Sequence, residues 1–249
     1  MDPDATQILN RTVEITRQGD TAPAWEVAAR ARLNAAIERF TGPLADLLAR
    51  DANEGDTRLL VTDFLSDGLN FSKYGDLTTE YRTKGESVDY GITLGDTLFA
   101  FIEVKPCGAR LDPRGLRQAR LHAAERKVAW AVLTNGRVWQ AHHLGDGGED
   151  AGTGLVVDVD LLSEAPLHER VDALLPLTRE AVERGRLETL RAWRAALEPG
   201  PLAAAAASPP VVAALRAELL RRTGHEGHIG DTAETARALT EGVVKKGLL

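Results

Sequence analysis

Two acidic residues and a lysine stand at a spacing that suits chemistry on a phosphodiester. Asp89 lies in the run Ser87-Val-Asp-Tyr-Gly-Ile92, and Glu103-Val-Lys105 closes the apolar run Leu98-Phe-Ala-Phe-Ile102 that follows. The link Leu94-Gly-Asp-Thr97 carries Gly-Asp turn chemistry, so the two runs read as a hairpin. Side chains alternate along a strand, which puts Glu103 and Lys105 on one side and Val104 on the other. Hard divalent cations take oxygen ligands, typically one or two carboxylates with waters and substrate phosphate oxygens. Mg²⁺ or Mn²⁺ held by Asp89 and Glu103 would polarise a phosphodiester and lower the pKa of a water. Lys105 would orient that water or stabilise charge developing on the phosphate. Taken alone, the Glu-Val-Lys tripeptide reads first as a Glu–Lys pair at a strand edge, which is common and stabilises little. Asp89 in the preceding run favours the catalytic alternative.

The elements that must position this trio follow from the hydrophobic periodicity. Leu98 to Val104 is apolar on both faces, the pattern of a covered central strand whose end reaches a cleft. Upstream, Ala22 to Arg50 is helical, with Trp25, Ala28, Ala29, Leu33, Ile37 and Phe40 at spacings of three and four. Thr41-Gly-Pro43 is expected to interrupt it before Leu44 to Leu48 resume. A second helix is predicted within Asp51 to Asp67, with Leu59, Leu60, Phe64 and Leu65 as its apolar stripe and Gly68 as its stop. Glu54 falls in its first turn, where a carboxylate also suits the helix dipole. Leu77 to Thr83 alternates and predicts a first strand.

After Pro106 come a loop and a helix from about Pro113 to Lys127, on which Gln118, His122 and Glu125 share a face. Val128 to Thr134 suits a buried strand, Asn135-Gly136 is a strong hairpin signal, and Val138 to Leu144 is the return strand. His142 and His143 must face opposite ways and cannot form one site. An acidic, glycine-rich loop over Asp146 to Gly154 leads to an edge strand at Leu155 to Asp160. Beyond it the pattern is helical over Leu167 to Leu197, broken at Pro199-Gly-Pro201. A linker is expected over Ala203 to Pro210, then helices at Val211 to Arg222 and from the capping-box sequence Asp231-Thr-Ala-Glu234. The short helices also permit a helix-turn-helix. His225-Glu-Gly-His228 lacks zinc-protease spacing.

Composition narrows the class. The 249 residues, 43% hydrophobic and 27% charged, are ordinary for a globular protein. No apolar run reaches bilayer length, and Met-Asp-Pro-Asp does not begin a signal peptide. The single cysteine, Cys107, excludes an intramolecular disulfide framework and fits a reducing cytoplasm, and its place in a turn suits a small residue. A net charge of −7 confines any nucleic-acid contact to a local patch. Such a patch exists between Lys105 and Lys127, where seven basic residues face two acidic ones, a net +5. Arg110, Arg114, Arg117 and Arg120 stand there beside the proposed metal ligands.

In this order of runs, with acids at these places, the chain resembles the PD-(D/E)XK nuclease superfamily, most closely the N-terminal nuclease domain of type I restriction enzyme R subunits. The quoted residues are Glu54, Glu80, Asp89, Glu103-Val-Lys105, Gln118 and Thr134-Asn-Gly136 with Trp139, over about residues 30 to 160. Where the family commonly has a Tyr four residues after the Gln, this chain has His122, which implies altered contacts. The resemblance implies a restriction-endonuclease-like α/β fold with a mixed central sheet flanked by helices. It implies Asp89 and Glu103 as ligands of Mg²⁺ or Mn²⁺, Lys105 as an aid to the attacking water, and Gln118 as a positioning residue. Glu54 and Glu80 would join the metal site or its water shell. The substrate implied is DNA, in restriction or antiphage defence.

The expected organisation is an N-terminal arm over 1–22, a nuclease-like domain over 23–165 and a helical C-terminal region over 166–249. No Gly-X-X-X-X-Gly-Lys-Ser/Thr phosphate loop is present, so ATP-driven translocation is not encoded in this sequence and a motor would be a separate protein. Sequence specificity would need the helical tail or a separate partner protein. Two-strand cutting by a single site calls for two copies, so a homodimer through the C-terminal helices is a further expectation. The alternative to a nuclease is a catalytically inactive member of the same fold that binds nucleic acid or assembles with partners.

Overall fold

A computed structural model of the chain describes residues 22–83, 86–112, 116, 120, 123, 126–145, 154–224 and 230–244. The expected arm over 1–22 lies outside them apart from its last residue. So does most of the helix expected over Pro113 to Lys127. Six strands form one mixed sheet: β1 (Leu77–Thr83), β2 (Glu86–Leu94), β3 (Thr97–Val104), β4 (Trp130–Thr134), β5 (Val138–His143) and β6 (Leu155–Asp160). Their order in space is their order in sequence, and every neighbouring pair is antiparallel except β3 with β4. A parallel pair needs a crossover, and residues 105–129 supply it. The expected α/β class and mixed sheet are therefore present.

The expected first helix is continuous where an interruption was predicted. α1 spans Ala24–Ala49 with Pro43 inside it. Phe40, Leu44 and Leu47 continue the buried stripe of Leu33, Ala36 and Ile37, each at most 6% exposed. An interior proline costs about 3 kcal/mol, and burying two further leucines offsets a cost of that size. Next, α2 (Glu54–Asp67) is capped by Asn53, whose side chain accepts from the Asp56 N–H at 2.9 Å. Its buried stripe is Thr57, Leu60, Val61, Phe64 and Leu65, whereas Leu59, expected there, is 70% exposed. Leu59 is off that stripe because each residue turns the helix by about 100°.

Two layers cover the sheet. On one face Phe40 of α1 packs edge-on against Phe64 of α2, which meets Trp139 of β5 at 5.3 Å between ring centroids. Ile92, Ile102 and Val132 share that apolar interior with Leu65, Leu69 and Val182. On the other face Phe101, Ala131 and Leu133 pack with Leu116, Ala123 and Val128 from the crossover.

After β6 the chain forms α3 (Leu167–Leu174), a 3₁₀ turn (Leu175–Leu177), α4 (Arg179–Glu183) and α5 (Arg186–Ala196). α4 is tied back firmly. Arg32 of α1 holds Glu180 through two bonds at 2.9 and 2.8 Å, and Arg179 bonds Asp76 at 2.9 Å. The first compact unit accordingly ends at Leu187, and the second begins at Glu188, some twenty residues later than the expected boundary at 165.

The second unit holds α6 (Pro199–Ala206), α7 (Pro209–Thr223), α8 (Thr232–Leu239) and a terminal π-turn (Thr240–Val244). The linker expected over Ala203 to Pro210 is therefore largely helical. Alanine has the highest helix propensity, and prolines at the first turns of α6 and α7 begin helices rather than break them. Asp231 caps α8 as expected, accepting from the Glu234 N–H at 2.6 Å.

His142 and His143 do face opposite ways. His143 meets the Trp130 ring edge-on. His142 is 2% exposed, and neither ring nitrogen has a hydrogen-bond partner. Burial, with the nearby Arg120 charge, lowers its pKa from 6.5 to about 4. The folded state holds this imidazole neutral while the unfolded state takes up a proton. Its contribution is thus complete above about pH 6.5 and is lost as the pH falls toward 4. Urea denaturation of the wild type should show stability falling by up to about 3 kcal/mol across that window. His142→Leu should flatten the slope, and an unchanged slope in that variant would assign it to other groups.

Candidate catalytic site

The site lies where two paired strands part. The β2–β3 ladder runs from Leu94 and Thr97 to Tyr90 and Ile102, while β3 continues along β4 through Glu103 with Leu133 and Val104 with Thr134. Extending the β2–β3 register places Asp89 across from Glu103. There the Asp89 side chain takes over from the backbone: its Oδ2 accepts the Val104 N–H at 2.7 Å. A strand N–H requires an acceptor, and at this fork a carboxylate supplies it.

The second Asp89 oxygen, Oδ1, accepts from Arg58 Nη1 of α2 at 3.0 Å. Glu103 Oε1 accepts from Lys105 Nζ at 2.7 Å. The side chains of Asp89 and Glu103 are 11% and 10% exposed, and that of Lys105 is 31% exposed. The trio is therefore buried at its acidic base and open at its ammonium.

Several contacts hold α2 and β3 together around this fork. The Cys107 N–H donates to Thr57 Oγ1 at 3.0 Å, and that hydroxyl donates to the Asn53 carbonyl at 3.0 Å. The start of α2 is thereby fixed beside the chain just after Lys105. Asn135 Nδ2 donates to the Ala109 carbonyl at 2.8 Å, bracing the same loop from the β4–β5 hairpin. Gly136 in that hairpin has φ +80°, and a Cβ there would lie 3.2 Å from Leu44 of α1. Cys107 is buried, and burial raises its thiol pKa, so it fills the turn as an inert small residue.

The electrostatics are those of a net acidic site. Burial raises the pKa of Glu103; Lys105 opposes this, and the charges of Asp89 and Glu54 add to it. Burial works against the Lys105 ammonium, yet its bond to Glu103 and the charges of Glu103, Glu54 and Asp89 raise its pKa overall. The shift of Glu103 comes first from burial, whereas that of Lys105 reflects the carboxylates around it. Among the described residues three acids, Glu54, Asp89 and Glu103, stand with two bases, Arg58 and Lys105. The oxygen-only donor set with one unbalanced negative charge suits a hard divalent cation. Among the described residues, however, no three His, Cys, Asp or Glu side chains are close enough to hold a metal ion. Two protein carboxylates at most would contribute, with water or phosphate completing the shell.

Of the residues expected at the site, Asp89, Glu103, Lys105 and Glu54 come together. Glu80 falls between the Thr79–Tyr90 and Tyr81–Val88 pairs of the β1–β2 register, and it is exposed. Its φ of +49° within a strand is a left-handed conformation uncommon for a non-glycine residue. Arg110 is exposed, and Arg120 is half-buried near His142. Arg114, Arg117, Gln118 and His122 lie outside the described residues.

Arg58 was not anticipated. Its signal was the spacing from Glu54, four residues earlier on the same helix face. The brace between helix and strand is testable through Thr57. Thr57→Val keeps the shape but leaves the buried Cys107 N–H without an acceptor, and should cost about 1–3 kcal/mol. Chemical denaturation measures this, and an unchanged midpoint would remove Thr57 as the link.

Comparison with known proteins identifies no relative: no family model, no curated protein and no solved structure matches the chain.

Proposed function

We propose that the protein is a metal-dependent nuclease of the PD-(D/E)XK type, hydrolysing DNA phosphodiester bonds with Mg²⁺ or Mn²⁺ in restriction or antiphage defence. The observation that carries this is the meeting of Asp89 and Glu103 at the strand fork, with Lys105 Nζ 2.7 Å from Glu103. Asp89 and Glu103 would hold the cation, with Glu54 reaching its water shell. When bound, the cation supplies charge stabilisation at the phosphodiester and a lowered pKa for the attacking water. Lys105, whose pKa is raised, stays an ammonium at neutral pH. It therefore orients the water or stabilises charge on the phosphate, and does not act as a general base. The exposed Arg110 would meet backbone phosphates, a role extended to Arg114, Arg117, Arg120 and His122, with Gln118 positioning substrate.

The fold reading that goes with this function is restriction-endonuclease-like: a mixed sheet whose third strand carries the Glu-Val-Lys sequence. Partners proposed are DNA, a separate specificity or motor protein, and a second copy of the chain. A specific observation favours the rival, an inactive nuclease-fold module. Both Asp89 oxygens are already occupied, by Arg58 and by the Val104 N–H.

Plasmid nicking with Mg²⁺ or Mn²⁺ separates the two. Wild type should cleave, and Lys105→Ala should lower the rate by about 10²-fold or more, the size expected for a lost transition-state donor. Equal cleavage by both would remove Lys105 from the mechanism. Wild-type protein that cleaves neither DNA nor RNA would favour the binding module.

A further inference from the structure

The contact between Arg58 and Asp89 differs from the two-bond Arg–carboxylate pairs of the first unit. Arg32 and Arg137 each grip their partners with two or more bonds, the geometry that suits a permanent guanidinium–carboxylate pair. Arg58 makes a single bond, Nη1 to Oδ1 at 3.0 Å, and its side chain is one-third exposed.

Its backbone, by contrast, is fixed. The Arg58 carbonyl accepts from Tyr90 Oη at 3.0 Å and from Thr62 Oγ1 at 2.8 Å, and Tyr90 directly follows Asp89 in β2. The base of the side chain is thus anchored beside Asp89 while its charged head is lightly held. The two Asp89 oxygens also differ in role. Oδ2 completes the strand fork through the Val104 N–H, whereas the partner of Oδ1 among the described residues is the Arg58 guanidinium.

We propose that Arg58 is a built-in counter-cation for Asp89, which a divalent cation displaces on entering the site, and that the freed guanidinium then takes a substrate phosphate oxygen. This role rests on the proposal that Asp89 and Glu103 hold a divalent cation. Charge accounts for both positions. Without the dication, Arg58 offsets part of the negative charge of Glu54, Asp89 and Glu103. With the dication at the carboxylates, the like charge of Arg58 is repelled, and a phosphate becomes its natural partner. The site would thereby resist loading until both metal and phosphate are present.

Mn²⁺ titration of the full chain, followed by electron paramagnetic resonance and calorimetry, tests this without relying on cleavage. Arg58→Ala should bind Mn²⁺ at least about tenfold tighter than wild type, because a competing cation has gone. Arg58→Gln, which keeps most of the side-chain stem, should also bind tighter, and Arg58→Lys should stay near wild type. Cleavage by Arg58→Ala should fall despite the tighter metal. If Mn²⁺ binds wild type and is lost in Asp89→Asn, but is no tighter in Arg58→Ala and Arg58→Gln, the counter-cation role is overturned and the metal site stands. Tighter metal with undiminished cleavage overturns the phosphate contact. Mn²⁺ binding that is undetectable in all variants, or indifferent to Asp89→Asn, overturns the metal site itself.

Discussion

The hydrogen bond from the Val104 N–H to Asp89 Oδ2 is the contact on which the site depends. A central strand cannot leave an amide unpaired without a cost of about 1–3 kcal/mol, so strands that part must find another acceptor. Asp89 meets that need with its side chain. This lets β2 leave β3 while β3 runs on beside β4, and a buried acidic fork results. The same carboxylate then has one oxygen committed to structure and one available to a cation, whether guanidinium or metal. Strand pairing and a cation contact are joined in one residue, so Asp89 is not a surface acid that happens to lie near a lysine.

Around the fork, the fold works mainly to hold two elements in register. α2 is packed against the sheet through Phe64 and Trp139 and bonded to the chain after β3 through Thr57 and Cys107. The β4–β5 hairpin reaches the same loop through Asn135 and Ala109. Glu54 and Arg58, one turn apart on α2, are consequently presented to acids on two strands. Burial raises the proton affinity of Glu103, and the surrounding carboxylates raise that of Lys105. The charges of Asp89 and Glu54 reach Glu103 and Lys105 there, which a simple Glu–Lys pair at a strand edge does not require.

Legibility differed from element to element for physical reasons. Strand positions, the Asn135-Gly136 hairpin and the Asp231 cap were readable because alternation, turn chemistry and capping are local properties. Leu59 was misplaced although its neighbours Leu60 and Phe64 set the stripe correctly; a helix face is defined by angle, and an exposed leucine looks like a buried one in composition. Pro43 and the Ala203 to Pro210 stretch were read by rules for breakers and linkers. In the first case burial of Leu44 and Leu47 overrode the rule. In the second the alanines and the first-turn placement of the prolines favoured helix from the start.

By itself, the sequence determined which groups are on offer: two carboxylates and an amine, Asp89 with Glu103 and Lys105, on two strands joined by a turn. It could do so because residues fourteen and two positions apart in a hairpin have their relation set by the turn between them. Only the tertiary structure decided which acids meet and what neutralises them. Glu54 comes into range and Glu80 turns out to solvent, and Arg58 crosses from a helix thirty-one residues away to Asp89. Such contacts depend on how α2 lies on the sheet, and that is set by the packing of Phe40, Phe64 and Trp139 rather than by any local pattern around the residues it brings together.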